Sequence, residues 1–414
     1  MQATAIPTVA SLAGPYLQGG PIIRVFFALT LIPALLLISV LGTGQTTQTH
    51  IQSMKLLNPK VGWAATDRGL FWTADGGVRW RDITPKGSNP VDIRSVFFLD
   101  ASVGWVLFVH ADQNSFGPSF TVAATSNAGK TWSVKPVKIP RLNPEATTLG
   151  GDGNIDFVDS LHGWMNLGVL SSANFRLGLL LVTADGGRSW GWASESPGVS
   201  GKIRFTTLKD GWLAGGPGNQ ELYVTHDACG SWQKVSLVAP GKGSAETYPL
   251  FDQPPVFVDS LHGFLPVTFV AGEGTGGQLT LFATEDGGKT WNSRRNLPIR
   301  GDTSAAVPST VADSTLIAVS PSNRQLMFGS LGAGRDVARA DALVAPDSAV
   351  FELSFVSKAR GWALTSEGLL SPTDGGISWL TITPSAVRNS AVTHVSEAHG
   401  SDGQAGIPIA APPR

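Results

Sequence analysis

An eight-residue pattern that returns six times constrains this chain more than any other feature. It reads T-A-D-G-G-V-R-W from Thr73 to Trp80, T-S-N-A-G-K-T-W from Thr125 to Trp132 and T-A-D-G-G-R-S-W from Thr183 to Trp190. It continues as T-H-D-A-C-G-S-W from Thr225 to Trp232, T-E-D-G-G-K-T-W from Thr284 to Trp291 and P-T-D-G-G-I-S-W from Pro372 to Trp379. An apolar, strand-like run precedes each copy, such as L-L-L-V before Thr183. A Thr and an Asp two apart, followed by Gly, close a tight hairpin: their oxygens accept from turn N–H groups and Gly takes the positive φ. The Trp then opens the next strand.

Upstream of each copy lies a second element that ends in Gly-aromatic. It is clearest in F-V-D-S-L-H-G-W, Phe157 to Trp164, and F-V-D-S-L-H-G-F, Phe257 to Phe264; the others end at Trp63, Trp105, Trp212 and Trp362. One unit is therefore four antiparallel strands, A to D, with a turn carrying Gly-aromatic between A and B and the box between C and D. Units of this kind at roughly 40 to 50 residues are the signature of β-propeller blades. The step from one box Trp to the next Gly-aromatic is 25, 32, 22 and 32 residues, then jumps to 71 between Trp291 and Trp362. That interval holds one extra blade without a box, since a structureless loop of such length inside a compact domain is the poorer reading. The spacing predicts an all-β fold: a single seven-bladed β-propeller of four-stranded antiparallel blades. The expected blades cover about 49–88, 91–140, 150–198, 201–242, 253–300, 303–346 (degenerate) and 349–386, with a disordered tail over 387–414.

The first 48 residues read differently. Residues 25–42 are uncharged and apolar behind Arg24, at the lower limit for crossing a bilayer core of about 30 Å. They predict a helical signal peptide or membrane anchor, with everything after Gly42 exported.

Composition removes several function classes. Thirty Lys and Arg against 31 Asp and Glu give a net charge of −1, so no basic face for nucleic acid is expected. The single cysteine, Cys229, excludes a disulfide framework and Cys-rich metal sites. One Asp per hairpin, repeated round a ring, does not converge on an ion as calcium needs. No metal and no cofactor are expected.

The box pattern resembles the Asp-box, or BNR repeat. Together with the Gly-Trp element and the export segment, the chain is similar to the photosystem II stability/assembly factor family over residues 50 to 385. Asn127, Cys229 and Pro372 depart from the repeat and put their own turns in question. The resemblance implies a non-catalytic scaffold that docks a protein partner, such as a membrane protein or complex, in the periplasm, at the cell surface or in a thylakoid lumen. A monomeric domain is expected, held to the membrane if the N-terminal segment is uncleaved. It also implies that the boxes lie on the rim, away from the ligand face. Thr73, Asp75, Gly77, Trp80, Asn127, Gly129, Trp132, Thr183, Asp185, Gly187, Trp190, Asp227, Trp232, Thr284, Asp286, Gly288, Trp291, Asp374, Gly376 and Trp379 are then structural.

Recognition is expected on the opposite face, from the B–C and D–A loops. The long B–C loops are 109–119, 168–178 and 271–278, and variable loops on a rigid scaffold commonly carry binding. Counting back from Gly-aromatic, strand A alternates apolar and polar residues, which places Asp156, Lys202, Arg204 and Glu352 on one side, toward the channel. They solvate it, pair with each other or receive a partner. No catalytic residue is assigned. A sialidase needs a Tyr nucleophile and three clamping Arg; Tyr16 precedes the export segment, Tyr223 sits in a strand, and Tyr248 alone is left. D-S-L-H at Asp159–His162 and Asp259–His262 lies within one turn each, where a triad cannot converge. Cys229, in a glycine position, is expected to pass its positive φ to Gly230 and to be unreactive. The alternative function is an exported glycan-active enzyme, sialidase-like or another glycoside hydrolase, or a carbohydrate-binding propeller.

Overall fold

The computed structural model describes residues 49–111, 117–140, 148–170, 176–240, 247–271, 275–302, 305–313, 315–319, 325–330, 343–344, 349–372 and 379–385. The hydrophobic segment 25–42, the tail 387–414, Asp374 and Gly376 lie outside these residues. Within them, no helix is long and apolar enough to cross a membrane.

Seven antiparallel sheets follow one another along the chain. Strand A of each opens at Ile51–Leu56, Ile93–Phe98, Leu149–Phe157, Gly201–Phe205, Thr247–Leu250, Ser309–Ala312 and Val350–Ser357. Strand B follows at Gly62–Thr66, Gly104–His110, Gly163–Val169, Gly211–Gly215, Gly263–Ala271, Thr315–Val319 and Arg360–Thr365. Strands C and D complete each sheet in the order A-B-C-D. Six sheets have four strands, whereas the fifth has five, a correction to the expectation of uniform four-stranded blades. There strand A is split into Thr247–Leu250 and Val256–Phe257, both paired with Gly263–Ala271. The break falls at Pro254 and Pro255, which have no N–H for the ladder.

Strand B is buried on both faces, as in the BBBBB run of Gly62–Thr66, so it reads as a continuous apolar run. Strand A faces the channel on one side and alternates. The core lies between sheets, in clusters that each join two neighbours. Ile155 and Met165 pack with Leu107 and Val122, for instance, and Trp212 and Leu222 with Leu265 and Val267. The last sheet closes on the first through Trp362, Leu364 and Ile382 against Met54 and Phe71. The chain is a β-propeller.

The seams explain the Gly-aromatic pair. The Trp of one blade stacks on the last Phe of strand A in the next: Trp105 on Phe157 at 3.7 Å and Trp164 on Phe205 at 3.6 Å, with planes within 3°. Such pairs add ~0.5–1.5 kcal/mol beyond burial. The glycine makes room for that Phe within its own blade. A Cβ on Gly163 would lie 2.4 Å from the Phe157 ring, and one on Gly211 2.3 Å from Phe205.

The box turns share one hydrogen-bond scheme. In Thr284–Trp291 the buried Thr284 hydroxyl donates to Asp286 at 2.8 Å and accepts from the Gly288 N–H at 2.8 Å. Asp286 accepts from the N–H and hydroxyl of Thr290 at 2.9 and 2.6 Å. These bonds, first from the Thr290 side chain, pull its carboxyl down to about 2. Asn127 takes the Asp role without loss of the turn, accepting from Thr125 at 3.0 Å and from the Thr131 N–H at 2.9 Å. Cys229 corrects the sequence reading: it keeps φ at +66° itself, after Ala228 at +59°, and Gly230 is not left-handed. The Thr225 hydroxyl accepts the Cys229 N–H at 3.1 Å, which fixes the residue in the glycine's place.

Candidate functional site at the channel mouth

Strand register sorts the channel side chains into two layers. Opposite the strand B aromatics stand Lys55, Phe97, Asp156, Arg204, Val256 and Ser354, paired with Trp63, Trp105, Trp164, Trp212, Phe264 and Trp362. Two residues earlier, toward the loop face, come Ser53, Ser95, Asn154, Lys202 and Glu352. The four residues singled out from sequence, Asp156, Lys202, Arg204 and Glu352, all belong to these layers. Lys55 was missed, although it stands seven residues before Gly62 as Asp156 does before Gly163 and Arg204 before Gly211. The same counting would have found it.

Several of these polar groups tie blade to blade. Asp156 Oδ2 accepts the Phe205 N–H at 2.7 Å, and Asn154 Oδ1 the Ile203 N–H at 2.9 Å. Ser95 Oγ accepts the Ile155 N–H at 3.2 Å, and Ser354 Oγ the Leu56 N–H at 2.9 Å. Inner strands do not pair with each other, so their facing N–H groups need these side-chain acceptors.

The charged members perturb one another. Burial pushes the Asp156 carboxyl up to about 6, against the pull of Arg204 and Lys55. Burial likewise pushes Glu352 up to about 7, against Lys202 and Lys55. Burial, then the like charge of Arg204, lowers the Lys55 ammonium to about 8. Lys55 is nevertheless exposed to water; an enclosed channel gives a side chain a wet surface with protein on every side.

At the loop-face end the channel opens into a cavity of about 500 Å³. Its wall joins strand ends and loops: Arg94, Asp152, Asn154, Asn166, Arg176, Lys202, Asn219 and Asp252. Most of these side chains are occupied in holding the wall. Arg94 donates to the carbonyls of Gly151, Val91 and Ile93 at 3.0, 2.7 and 3.0 Å. Asn166 accepts from the Gly201 N–H at 2.9 Å and donates to the Val199 carbonyl at 3.2 Å. Lys202 meets Asp252 at 3.5 Å. Arg176 Nη1 donates to Asn219 Oδ1 at 2.8 Å, and both residues hold left-handed backbones, at φ +44° and +59°. Strain of this kind in non-glycine residues clusters at functional sites.

A second cavity of about 300 Å³ lies on the box side between blades two and three, against Trp105, Leu161 and Arg188, and gathers no acid. The D-S-L-H segments cap their own turns: Asp159 accepts from the N–H groups of Leu161 and His162, both at 2.7 Å. Among the described residues no cluster of His, Cys, Asp and Glu could hold a metal. Tyr223 lies in strand Glu221–Thr225, its hydroxyl donating to Glu221 at 3.3 Å.

With this geometry fixed, known proteins can be set beside it. A GH74 xyloglucanase from Xanthomonas campestris superposes with a TM-score of 0.54 and 14% identity over 80% of this chain and 52% of its own. The resemblance is one of fold. The chain thus spans about half the length of that enzyme. A structure of YCF48 bound to D1 peptide covers 80% of this chain and 93% of its own, with 17% identity and a TM-score of 0.49. A GH93 alpha-L-arabinofuranosidase of Fusarium graminearum, in complex with arabinobiose, matches 68% of this chain and 90% of its own at 11% identity and a TM-score of 0.41. No family model matches the sequence, and no curated protein matches it.

Proposed function

We propose that this chain is a non-catalytic, extracytoplasmic seven-bladed propeller that docks a protein partner on its loop face. Export by segment 25–42, and anchoring where that segment is retained, belong to the same reading. The observation that carries it is the wall of the mouth cavity. Most of its polar side chains, Arg94, Asn154, Asn166 and Arg176 among them, are spent on fixing strand ends and loops from blades two to four, which makes a preorganised surface. Preorganisation of this sort favours recognition, because little side-chain freedom is left to lose on binding.

A second reading rests on one specific observation. Two acids, Asp152 and Asp252, line the cavity, and Glu352 titrates near 7 in the channel below, the range a general acid needs at neutral pH. An exported glycan-active propeller would use them.

Charge reversal separates the two. Arg176→Glu on the loop face is expected to abolish capture of a defined partner, and Arg188→Glu on the box side to leave it intact. No reducing ends should be released from a panel of plant and bacterial polysaccharides. Hydrolysis that disappears in Asp252→Asn would replace docking by catalysis.

A further inference from the structure

From blade one to blade five the seams carry tryptophan latches, and the fourth seam lacks one. At the first seam Trp132 Nε1 donates to the Ile83 carbonyl at 2.6 Å. At the second Trp105 Nε1 donates to the Gly186 carbonyl at 2.9 Å, and at the third Trp232 Nε1 to that of Glu195 at 3.1 Å. Two indoles, Trp212 and Trp291, pack into the fourth seam, between blades four and five. Both N–H groups are buried, and neither has an acceptor among the described residues.

The unlatched seam holds a cleft of about 460 Å³ on the box side. It runs between the outer edge of blade four, residues 233–237, and Gly288, Lys289 and Trp291 of the blade-five box. Its floor is apolar: Val235, Leu237 and Trp291 are half-buried against the seam cluster around Trp212 and Leu265. Its rim carries His226, Lys234 and Lys289, and no acid lines it among the described residues.

Two of these three rim groups are already matched. Glu221 holds Lys234 at 2.6 Å, and Asp210 holds His226 at 2.9 Å. Lys289 is exposed and has no ion pair among the described residues. The acids of its own turn are engaged elsewhere, Glu285 with Arg294 and Asp286 with Thr284 and Thr290. Concave sites of this size, with apolar walls and a few polar groups, take small molecules. One unmatched cation above an apolar floor selects a single negative charge on an apolar body.

We infer that the cleft between blades four and five binds a small monocarboxylate with an apolar body. Its carboxylate sits on the Lys289 ammonium, and its body lies against Val235, Leu237 and Trp291. The site is independent of the docking reading, because no residue lines both this cleft and the mouth cavity.

The test uses the full chain and 4-phenylbutyrate, with 4-phenylbutanamide as its neutral match. Isothermal titration should show saturable binding of the acid, about tenfold tighter than the amide, as one charge-assisted hydrogen bond at a wet rim gives. Lys289→Met should lower the acid's affinity to that of the amide, and Lys289→Arg should keep the preference. Ser236→Trp, which fills the cleft from the exposed edge of blade four, should abolish binding of both. Should that variant fail to fold, the Lys289 pair, on an exposed side chain, still decides. No saturable binding of the acid, equal binding of acid and amide, or an unchanged affinity in Lys289→Met or folded Ser236→Trp would overturn the inference.

Discussion

Asp156 Oδ2 accepts the backbone N–H of Phe205 at 2.7 Å, across the seam between the third and fourth blades. One carboxylate thereby satisfies an inner-strand donor that has no ladder partner, on the residue whose ring stacks on Trp164.

Asp156→Ala is expected to leave that N–H buried and unpaired, at a cost of ~1–3 kcal/mol. Asp156→Asn keeps an acceptor oxygen and removes a buried charge, so it should equal or exceed the parent near pH 7. Urea unfolding of both variants checks the pair; equal loss in both would show that the charge itself matters.

The channel cluster also predicts a stability profile. Unfolded Asp156 and Glu352 titrate at 3.8 and 4.5, but in the fold at about 6 and 7. The folded state therefore binds more protons in between, and stability falls as pH rises from about 4 to 7. Lys55 titrates at 10.5 unfolded and about 8 folded, so stability rises again from pH 8 toward 10.5. Below 3.8 the box carboxyls Asp227 and Asp286 and the turn-capping Asp259, all held at about 2, lose their bonds as they take up protons. Melting temperature against pH should peak near 4 and dip between 7 and 8. A steady rise from 4 to 7 would contradict the assignment.

The box account is tested where the group is buried. Thr284 is 1% exposed and its hydroxyl serves both Asp286 and Gly288. Thr284→Val keeps the shape and strands these partners, and should destabilise by ~1–3 kcal/mol. Partner capture at the loop face should be unchanged in the fraction that remains folded.

Much of this was legible in sequence because a propeller repeats its chemistry. The Gly-aromatic and box spacings locate strands, turns and the polar side of strand A, and Asp156, Lys202, Arg204 and Glu352 all stand in the channel layers. Asp252 was out of reach: Pro254 and Pro255 break strand A of the fifth blade, so counting back from Gly263 lands on Val256 and Pro254. The contact of Arg176 with Asn219 joins two blades through loops, and no periodicity encodes it.

Cys229 shows a second limit. Sequence suggested that a Cβ would push the positive φ onto Gly230, yet the Thr225 bond and the Trp164 contact hold Cys229 in the glycine conformation. Burial pushes its thiol up to about 11. Alkylation of the native protein at pH 8 should be far slower than in denaturant; equal rates would place the thiol at the surface.

The central claim is that the loop face, and not the box face, receives a protein. A photo-crosslinking residue placed at Asp152 beside the cavity, and another at Leu261 on a box-side turn, test it directly in membranes of the native host. The account predicts one discrete adduct from position 152, lost when Arg176→Glu is added, and none from 261. An adduct from 261 alone, or one from 152 that survives Arg176→Glu unchanged, would contradict it.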